Sequence, residues 1–304
     1  MSIKLSLIIC TRNRAPVLPA CLDAVLESIK ESGTHFVQVI VVNNGSTDAT
    51  TQALSDWQDQ NDFTLKIVDA PHPGLSRARN AGLAVAMGDL IIFTDDDCIM
   101  DRMYIKTALA LASRDAAPVL RGGRIEQGDP TDLPLTIKTD LARQTWSKDQ
   151  KSMRHGSLSG VISGCSFIFP RVMYDALGDF DVALGAGSQN PGADDTDYLV
   201  RAYLAGFTIE YNPDLIVHHF HGRQTKEQGR ALMINYLLGI GGMMTKYIMT
   251  SRDVWRPFVW DIKNWIKEML QGKNLYLPEY DLSYRDVVFY TLRGMWIYFW
   301  ADKK

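Results

Sequence analysis

A run of apolar residues that ends in three aspartates constrains this chain more than any other stretch. Residues 90–93 read Leu-Ile-Ile-Phe, and Asp95, Asp96 and Asp97 follow after a single threonine. Such a run predicts a strand buried on both faces, as in a parallel sheet. The carboxylates then stand at the carboxyl end of that strand, where open α/β sheets bind their ligands.

The three aspartates have two interpretations. Adjacent carboxylates repel one another unless a cation or hydrogen-bond donors offset their charge, and hard oxygen ligands suit Mg²⁺ or Mn²⁺, which commonly carry phosphates. Alternatively, the stretch is a solvated acidic turn in which Asp97 caps the next helix.

Strand and helix patterns alternate over the first hundred residues. Apolar runs predict strands, and residues at helical spacing predict helices between them, over 5–10, 17–29, 37–42, 49–59, 64–69, 74–87 and 88–94. This order implies right-handed crossovers and a parallel sheet covered by helices on both faces. The sequence has neither GxGxxG after the first strand nor GxxxxGK[ST], which disfavours a dinucleotide-dependent dehydrogenase and a P-loop NTPase.

The later sequence predicts further elements and a helical end. Expected strands cover 119–125, 207–211 and 215–221, and expected helices cover 101–113, 198–204, 232–249, 254–270 and 286–300. Residues 129–157 are polar and predict a partly helical excursion. Residues 161–169 are apolar but contain Gly164, which indicates close approach of the backbone to a neighbour or ligand.

Composition excludes several classes of protein. The net charge of −3 argues against a broadly basic nucleic-acid surface. Four cysteines without CxxC spacing indicate reduced thiols rather than a disulfide framework or a zinc site. The amino terminus lacks the pattern of a signal peptide, and no apolar run reaches the roughly 18 residues of a membrane span. We therefore expect a cytoplasmic protein.

Three further groups of residues carry candidate chemistry. Asp194, Asp195 and Asp197 open a predicted helix, where carboxylates either complement the helix dipole or supply a general base. His219 and His221 share one face of a strand and indicate metal or phosphate contact.

The basic pair Arg77 and Arg79 follows Gly74 and either meets a diphosphate or forms a solvated helix face. The last predicted helices are rich in aromatic and basic residues. They either pack on the sheet domain or a second subunit, or they dock at a membrane surface.

Several motifs together resemble family 2 glycosyltransferases of the GT-A fold. The resemblance lies in residues 6–14 (SLIICTRNR), 41–48 (VVNNGSTD), 74–80 with 88–97 (GLSRARN and GDLIIFTDDD), 164–167 with 178–181 (GCSF and GDFD), and 194–197 (DDTD) with Arg201 and Gly206. Five elements in order over roughly residues 3–225 make the match specific, whereas each alone is weak.

The resemblance implies a fold, an activity and a domain division. The fold is an α/β Rossmann-like mixed sheet flanked by helices. A GT-A domain would span residues 1–225, with a nucleotide-binding half over about 1–100 and an acceptor half over about 115–225. A helical extension would span 226–304. The activity would be inverting transfer of a sugar from a nucleotide-diphosphate donor to an acceptor hydroxyl, in surface polysaccharide or glycolipid biosynthesis.

The resemblance also implies residues for the nucleotide sugar. Thr11, Arg12 and Asn43 would line the nucleobase pocket, with Arg14 and Gly164 in the same binding site. Arg79 would approach the diphosphate, and Asp96 the ribose.

A second set would serve the metal and the chemistry. Asp95 and Asp97 would be the DxD pair for Mn²⁺ or Mg²⁺, with His219 and, less directly, His221 reaching the metal or diphosphate. Asp195 would be the catalytic base with Asp194 beside it. The family often has Glu-Asp at these two positions, so the choice between them stays open.

Two other departures bear on specificity. The family often has Asp where Asn43 stands, so a UDP-sugar is favoured but a GDP-sugar stays open. The QxxRW motif and the multiple spans of processive synthases are absent from the sequence, which favours a single-addition enzyme.

The acceptor would be a glycan or a lipid-linked molecule, with no nucleic acid involved. The C-terminal helices would form a homodimer or contact the inner face of the cell membrane. Two alternatives remain: a nucleotidyltransferase on a related fold, and a non-catalytic nucleotide-sugar-binding module.

Overall fold

A computed structural model describes residues 4–148 and 159–301. Its first elements alternate as predicted: β1 Leu5–Thr11, α1 Leu18–Ser32, β2 Val37–Asn43, α2 Thr50–Asn61, β3 Lys66–Asp69, α3 Leu75–Val85 and β4 Leu90–Asp95. The elements that follow are β5 Cys98–Met100, α4 Tyr104–Ala112, β6 Val119–Gln127, β7 Gln144–Trp146, β8 Phe167–Pro170, α5 Arg171–Leu177, α6 Asp194–Leu204 and β9 Thr208–His219. The chain ends in three helices: α7 Lys226–Lys246, α8 Arg252–Gln271 and α9 Tyr284–Trp300.

One mixed sheet organises the strands in the order β3-β2-β1-β4-β8-β6-β9-β5, and β7 pairs with β9. The first four strands are parallel, and β8 joins β4 antiparallel. In register, Thr11 lies beside Asn43 and Cys10 beside Asp95. The loops after β1, β2 and β4 therefore leave the sheet at one edge.

The strands are buried on both faces because helices cover each side. Ile8, Ile40 and Phe93 point to a core shared with α3 and α6. Ile9 and Val41 point to the opposite core, under α1, α2 and α4. A mixed sheet flanked by helices, with a helical C-terminal part, confirms the predicted fold class.

Two expectations about the elements need correction. The strands expected over 207–211 and 215–221 are one strand, β9, because the sheet absorbs the turn-like residues 213–215 at a register shift opposite Gly123 and Arg124. The helix expected from Asp101 begins at Tyr104, because the Asp101 carboxylate accepts the Met103 N–H at 2.8 Å in a turn ahead of the helix.

The predicted excursion over 129–157 lies partly outside the described residues. Its described portion, up to residue 148, contains turns and β7 but no helix.

The C-terminal helices pack on the sheet domain and share one of its hydrophobic cores. Met243 and Met244 of α7, and Tyr247 directly after it, enter the same core as α6 and the sheet. Between α7 and α9 the backbones come close at Gly294, where an added Cβ would lie 2.1 Å from the Leu238 carbonyl oxygen. Within the described ranges, none of the helices has the length and apolar character that crossing a bilayer requires.

Candidate active site

A cleft of about 450 Å³ opens at the edge of the sheet where β1 and β4 end. The loops after these strands, the start of α6, the end of β9 and helix α7 all contribute to its walls. Its polar lining includes Thr11, Arg12, Arg14, Asn44, Arg79, Asp95, Asp96, Asp97, Asp194, Asp195, His219 and Arg223. The structure thus brings together most of the residues that the sequence singled out.

Asp97 lies at the centre of an ion-paired group. Its Oδ2 accepts a hydrogen bond from Arg14 Nη2 at 3.0 Å, and its Oδ1 lies 3.3 Å from His219 Nε2. Burial would raise the pKa of Asp97, but His219 and Arg14 lower it below its ordinary value. The next element is strand β5 rather than a helix, so the interpretation of Asp97 as a helix cap is wrong.

His219 is held from both sides of its ring. Nδ1 lies 3.1 Å from the Thr136 hydroxyl, and Nε2 faces Asp97. Burial would lower the pKa of His219, but the hydrogen bond and charge of Asp97 raise it from 6.5 to about 9.

Asp97, Cys98 and His219 place one candidate ligand atom each within 4.8 Å of one another. Asp95 lies in the same cleft, with about one third of its side chain exposed. Carboxylate oxygens with one imidazole nitrogen form a donor set that fits Mn²⁺ or Mg²⁺. A hydrogen bond with Cys165 and burial keep the pKa of Cys98 well above its usual range, so its thiol is a poor ligand.

Asp96, the middle aspartate of the three, also lies beside Arg14. Its carboxylate lies 3.5 Å from Arg14 Nε, and its side chain is nine-tenths buried. Burial raises the pKa of Asp96 to about 7.

His221 does not join the metal-facing group. Its Nε2 donates to the Leu133 carbonyl oxygen at 3.0 Å, and its Nδ1 accepts the Arg223 N–H at 3.0 Å. Both ring nitrogens are therefore used, and the side chain is almost fully buried. His221 supports the turn that carries Arg223 into the cleft, instead of offering a ligand atom to a metal.

Arg79 is buried among carboxylates and aromatic rings. It donates to Asp194 and lies 3.7 Å from Asp95, with its guanidinium over the rings of Phe93 and Phe180. An added Cβ at Gly164 would lie 2.2 Å from Arg79 Nη2, which explains the glycine. Arg79 therefore forms ion pairs with Asp95 and Asp194 in the cleft wall. Arg77, in contrast, lies on the exposed face of α3.

Asp194 and Asp195 have different surroundings. Asp194 is buried in its ion pair with Arg79. Asp195 Oδ2 accepts the Gly164 N–H at 2.8 Å, and Oδ1 accepts the Thr196 N–H at 2.6 Å. Asp195 also lines a second pocket of about 190 Å³ that adjoins the cleft, so its carboxylate stands where the two cavities meet.

The turn after β2 presents Asn44 rather than Asn43 to the cleft. The Asn43 amide donates to Thr51 Oγ1 at 3.1 Å and accepts the Ser46 N–H at 3.2 Å. Asn44 lines the cleft, and its Oδ1 is buried without a hydrogen-bond partner among the described residues.

Several residues of the site were not predicted from the sequence, and Arg223 and Tyr236 are two of them. Arg223 follows β9, and its only sequence signal is its position two residues beyond the histidine cluster. Tyr236 of α7 lines both the cleft and the second pocket, and nothing local in the sequence marks it.

A mixed sheet with carboxylates at the carboxyl end of its fourth strand is the arrangement of the GT-A class of fold. Residues 6–177 match the family model described as glycosyl transferase family 2. The chain belongs to that family.

Named relatives and solved structures agree with this assignment. The succinoglycan biosynthesis protein ExoM of Rhizobium meliloti is 26% identical over 69% of this chain and 64% of its own length. Matches with three other curated glycosyltransferases likewise span 50 to 66% of their lengths.

Two solved structures share the fold. The mannosyltransferase PcManGT of Pyrobaculum calidifontis, in complex with GDP-Man and Mn²⁺, superposes with a TM-score of 0.61 at 18% identity, covering 99% of this chain and 88% of its own. TarS 1–349 of S. aureus, in complex with UDP-GlcNAc, superposes with a TM-score of 0.56 at 17% identity, covering 88% of this chain and 78% of its own. At these identities the likeness establishes the GT-A fold alone.

Proposed function

We propose that this chain is an inverting, metal-dependent hexosyltransferase of surface polysaccharide or glycolipid biosynthesis. The observation that carries the proposal is the placement of two groups across one cleft. The Asp97–His219 pair lies at the end of the sheet, and Asp195 stands opposite, where the cleft meets the second pocket. A donor in the cleft and an acceptor in the second pocket would then meet at Asp195.

Asp97, Asp95 and His219 would hold Mn²⁺ or Mg²⁺. A bound divalent cation neutralises charge that develops on the departing diphosphate. Arg14 and Arg223 place guanidinium groups in the same cleft, where they bind phosphate oxygens. PcManGT was solved with Mn²⁺ and GDP-Man, which supports this assignment by analogy of fold.

Asp195 would act as the general base. Its carboxylate takes the proton of the acceptor hydroxyl while that oxygen bonds to the anomeric carbon. The bond from the anomeric carbon to the phosphate oxygen breaks on the opposite face, so the configuration inverts and a nucleoside diphosphate leaves. Asp194 suits this role less well because its charge is already paired with Arg79.

The donor is a nucleoside-diphosphate sugar, with its base near Thr11, Arg12 and Asn44. The unpartnered Asn44 Oδ1 would accept a ring N–H of the base. Uracil and guanine both offer one, so UDP- and GDP-sugars both fit. Solved structures of the same fold contain UDP-GlcNAc in one case and GDP-Man in another.

We further propose a glycan or lipid-linked acceptor, and action in the cytoplasm at the inner face of the cell membrane. The relative ExoM is a succinoglycan biosynthesis protein, which supports the polysaccharide setting.

A panel of UDP- and GDP-sugars tests the proposal, with release of nucleoside diphosphate measured in chelator and after addition of Mn²⁺. We expect turnover of one donor class that depends on the metal. His219→Ala should lose the metal-stimulated turnover, whereas His218→Ala, on the other side of the strand, should keep it. Turnover that is equal with and without metal, or no turnover of any donor, would contradict the proposal.

A further inference from the structure

Helix α8 exposes apolar side chains along one face. Together with the exposed Lys263 and Lys267, these residues follow the spacing of three or four positions that aligns side chains on a helix. The exposed fractions are 47% for Val259, 59% for Trp260, 47% for Ile266 and 84% for Leu270. The neighbouring Phe258 is buried, so this face points away from the core.

Helix α9 repeats the pattern with larger side chains. The exposed fractions are 57% for Phe289, 50% for Leu292, 67% for Trp296, 66% for Phe299 and 67% for Trp300. On the opposite side of the helix, Val288, Thr291 and Tyr298 are buried. So large an exposed apolar surface marks an interaction site.

The exposed charges on these two helices are mostly positive. Six exposed basic residues lie on the two helices, whereas Asp253 is the one exposed acid and Asp261 and Asp286 are half-buried. The basic residues are Arg252, Arg256, Lys263 and Lys267 of α8 with Arg285 and Arg293 of α9. This local excess of positive charge contrasts with the net charge of −3 for the whole chain.

The two helices are tied together and to the active site. The buried Glu268 carboxylate of α8 accepts the Leu275 N–H and the Tyr284 N–H, each at 2.7 Å, and so fixes the start of α9. Helix α9 packs closely on α7 at Gly294. Helix α7 in turn carries Tyr236 into the cleft, so the outward faces and the site belong to one packed unit.

We propose that the outward faces of α8 and α9 dock on a bilayer surface rich in anionic phospholipid. Tryptophan and phenylalanine enter the headgroup region, and lysine and arginine attract lipid phosphates. The Lys263 ammonium lies 5.3 Å from the centre of the Trp260 ring, so aromatic and cationic groups occupy the same patch.

A second copy of the chain fits this surface less well. In a two-fold dimer the same patch meets itself, so the six basic residues of one copy would face the same six residues of the other copy. Like charges placed against each other oppose association, whereas an anionic bilayer complements them. The inference rests on the proposed action at the inner face of the membrane. Its test measures vesicle binding and not turnover, so the inference and the proposed activity can each fail without the other.

Co-sedimentation of the full chain with vesicles tests the inference. We expect pelleting with vesicles of phosphatidylcholine mixed with phosphatidylglycerol, little pelleting with phosphatidylcholine alone, and weakening by added NaCl. The double variants Trp296→Ser/Trp300→Ser and Lys263→Glu/Lys267→Glu should each lower binding at least about tenfold.

Matched controls are exposed residues on the sheet domain: Phe36→Ser and Lys66→Glu should pellet like the wild type. Circular dichroism of each variant verifies folding. The inference is overturned if the wild type fails to pellet, or if both helix variants pellet unchanged. It is also overturned if Trp296→Ser/Trp300→Ser converts a dimer into a monomer without changing vesicle binding.

Discussion

At the scale of single residues, the cleft combines two kinds of charged group. Asp95, Asp97 and Asp195 supply negative charge, and Arg14 and Arg223 supply positive charge. Each cation can contribute to holding a diphosphate, because charge-assisted hydrogen bonds to phosphate are stronger than neutral ones.

Arg223→Ala should weaken donor binding. Arg223 lines the cleft, and its removal would delete the proposed phosphate contact, worth about 1.5 to 3 kcal/mol. We expect Kd for the nucleoside diphosphate, measured by calorimetry, to rise about tenfold or more. Arg114→Ala, an exposed arginine after α4, is the control. An unchanged Kd would remove Arg223 from the proposed site.

The pair of His219 and Asp97 predicts a pH-dependent stability. The pKa of His219 is raised from 6.5 to about 9, so its stabilising contribution is complete below pH 6.5 and is lost as the pH rises through 9. In chelator, the wild type should lose about 1 to 3 kcal/mol of unfolding free energy over this range relative to His219→Asn.

Urea unfolding at several pH values measures this difference. His218→Asn, on the opposite side of the strand, should keep the pH dependence of the wild type. An identical pH dependence in wild type and His219→Asn would contradict the account.

The sequence indicated which residues lie in the cleft where motif and local geometry coincide, whereas the roles of these residues remain predictions. Asp97, Asp195 and His219 lie in or beside turns that directly follow or precede regular elements, so their position is fixed by the sheet edge. Arg223 and Tyr236 reach the same cleft only through the path of β9 and the packing of α7. That information is tertiary and leaves no local pattern.

At the scale of elements, close helix packing depends on glycine at the crossing of α7 and α9. An added Cβ at Gly294 would lie 2.1 Å from the Leu238 carbonyl oxygen, and one at Gly241 would lie 2.0 Å from the Thr291 carbonyl oxygen. Both contacts are with backbone atoms, which cannot rotate away.

Gly294→Ala should therefore destabilise the protein by about 1 to 3 kcal/mol, as overpacked cores do. Helix propensity alone predicts the opposite sign, a gain of up to about 1 kcal/mol for alanine over glycine. Urea unfolding of the variant decides between them, and a gain in stability would contradict the close packing of these helices.

Element prediction worked best for β1 to β4, because apolar strands and amphipathic helices alternate there without interruption. It failed at β9, where Pro213 and its neighbours resemble a turn but are absorbed by a bulge paired with β6. Sequence periodicity carries no information about such pairing.

At the scale of the whole molecule, the predicted boundary near residue 225 remains a prediction. Helix α7 begins at Lys226, yet its side chains share the core of the sheet domain. A shared core favours one cooperative unit over two independent domains.

Tryptophan fluorescence tests whether the C-terminal helices unfold together with the sheet domain. Five of the seven tryptophans lie beyond residue 225, so tryptophan fluorescence mainly follows the C-terminal helices. We expect the fluorescence and far-UV circular dichroism transitions in urea to coincide. A fluorescence transition at clearly lower urea would instead indicate that the helices unfold as a separate domain.

The central claim is that Asp195 is the base of a glycosyl transfer. Replacing it by the isosteric asparagine removes the proton acceptor and leaves one side-chain oxygen, which can accept the Gly164 N–H or the Thr196 N–H but not both. The direct measurement is kcat for nucleoside diphosphate release in Asp195→Asn, with Asp175→Asn on exposed α5 as the control. We predict a loss of at least about 100-fold, with Kd for the nucleoside diphosphate unchanged. Retention of wild-type kcat in Asp195→Asn would contradict the account.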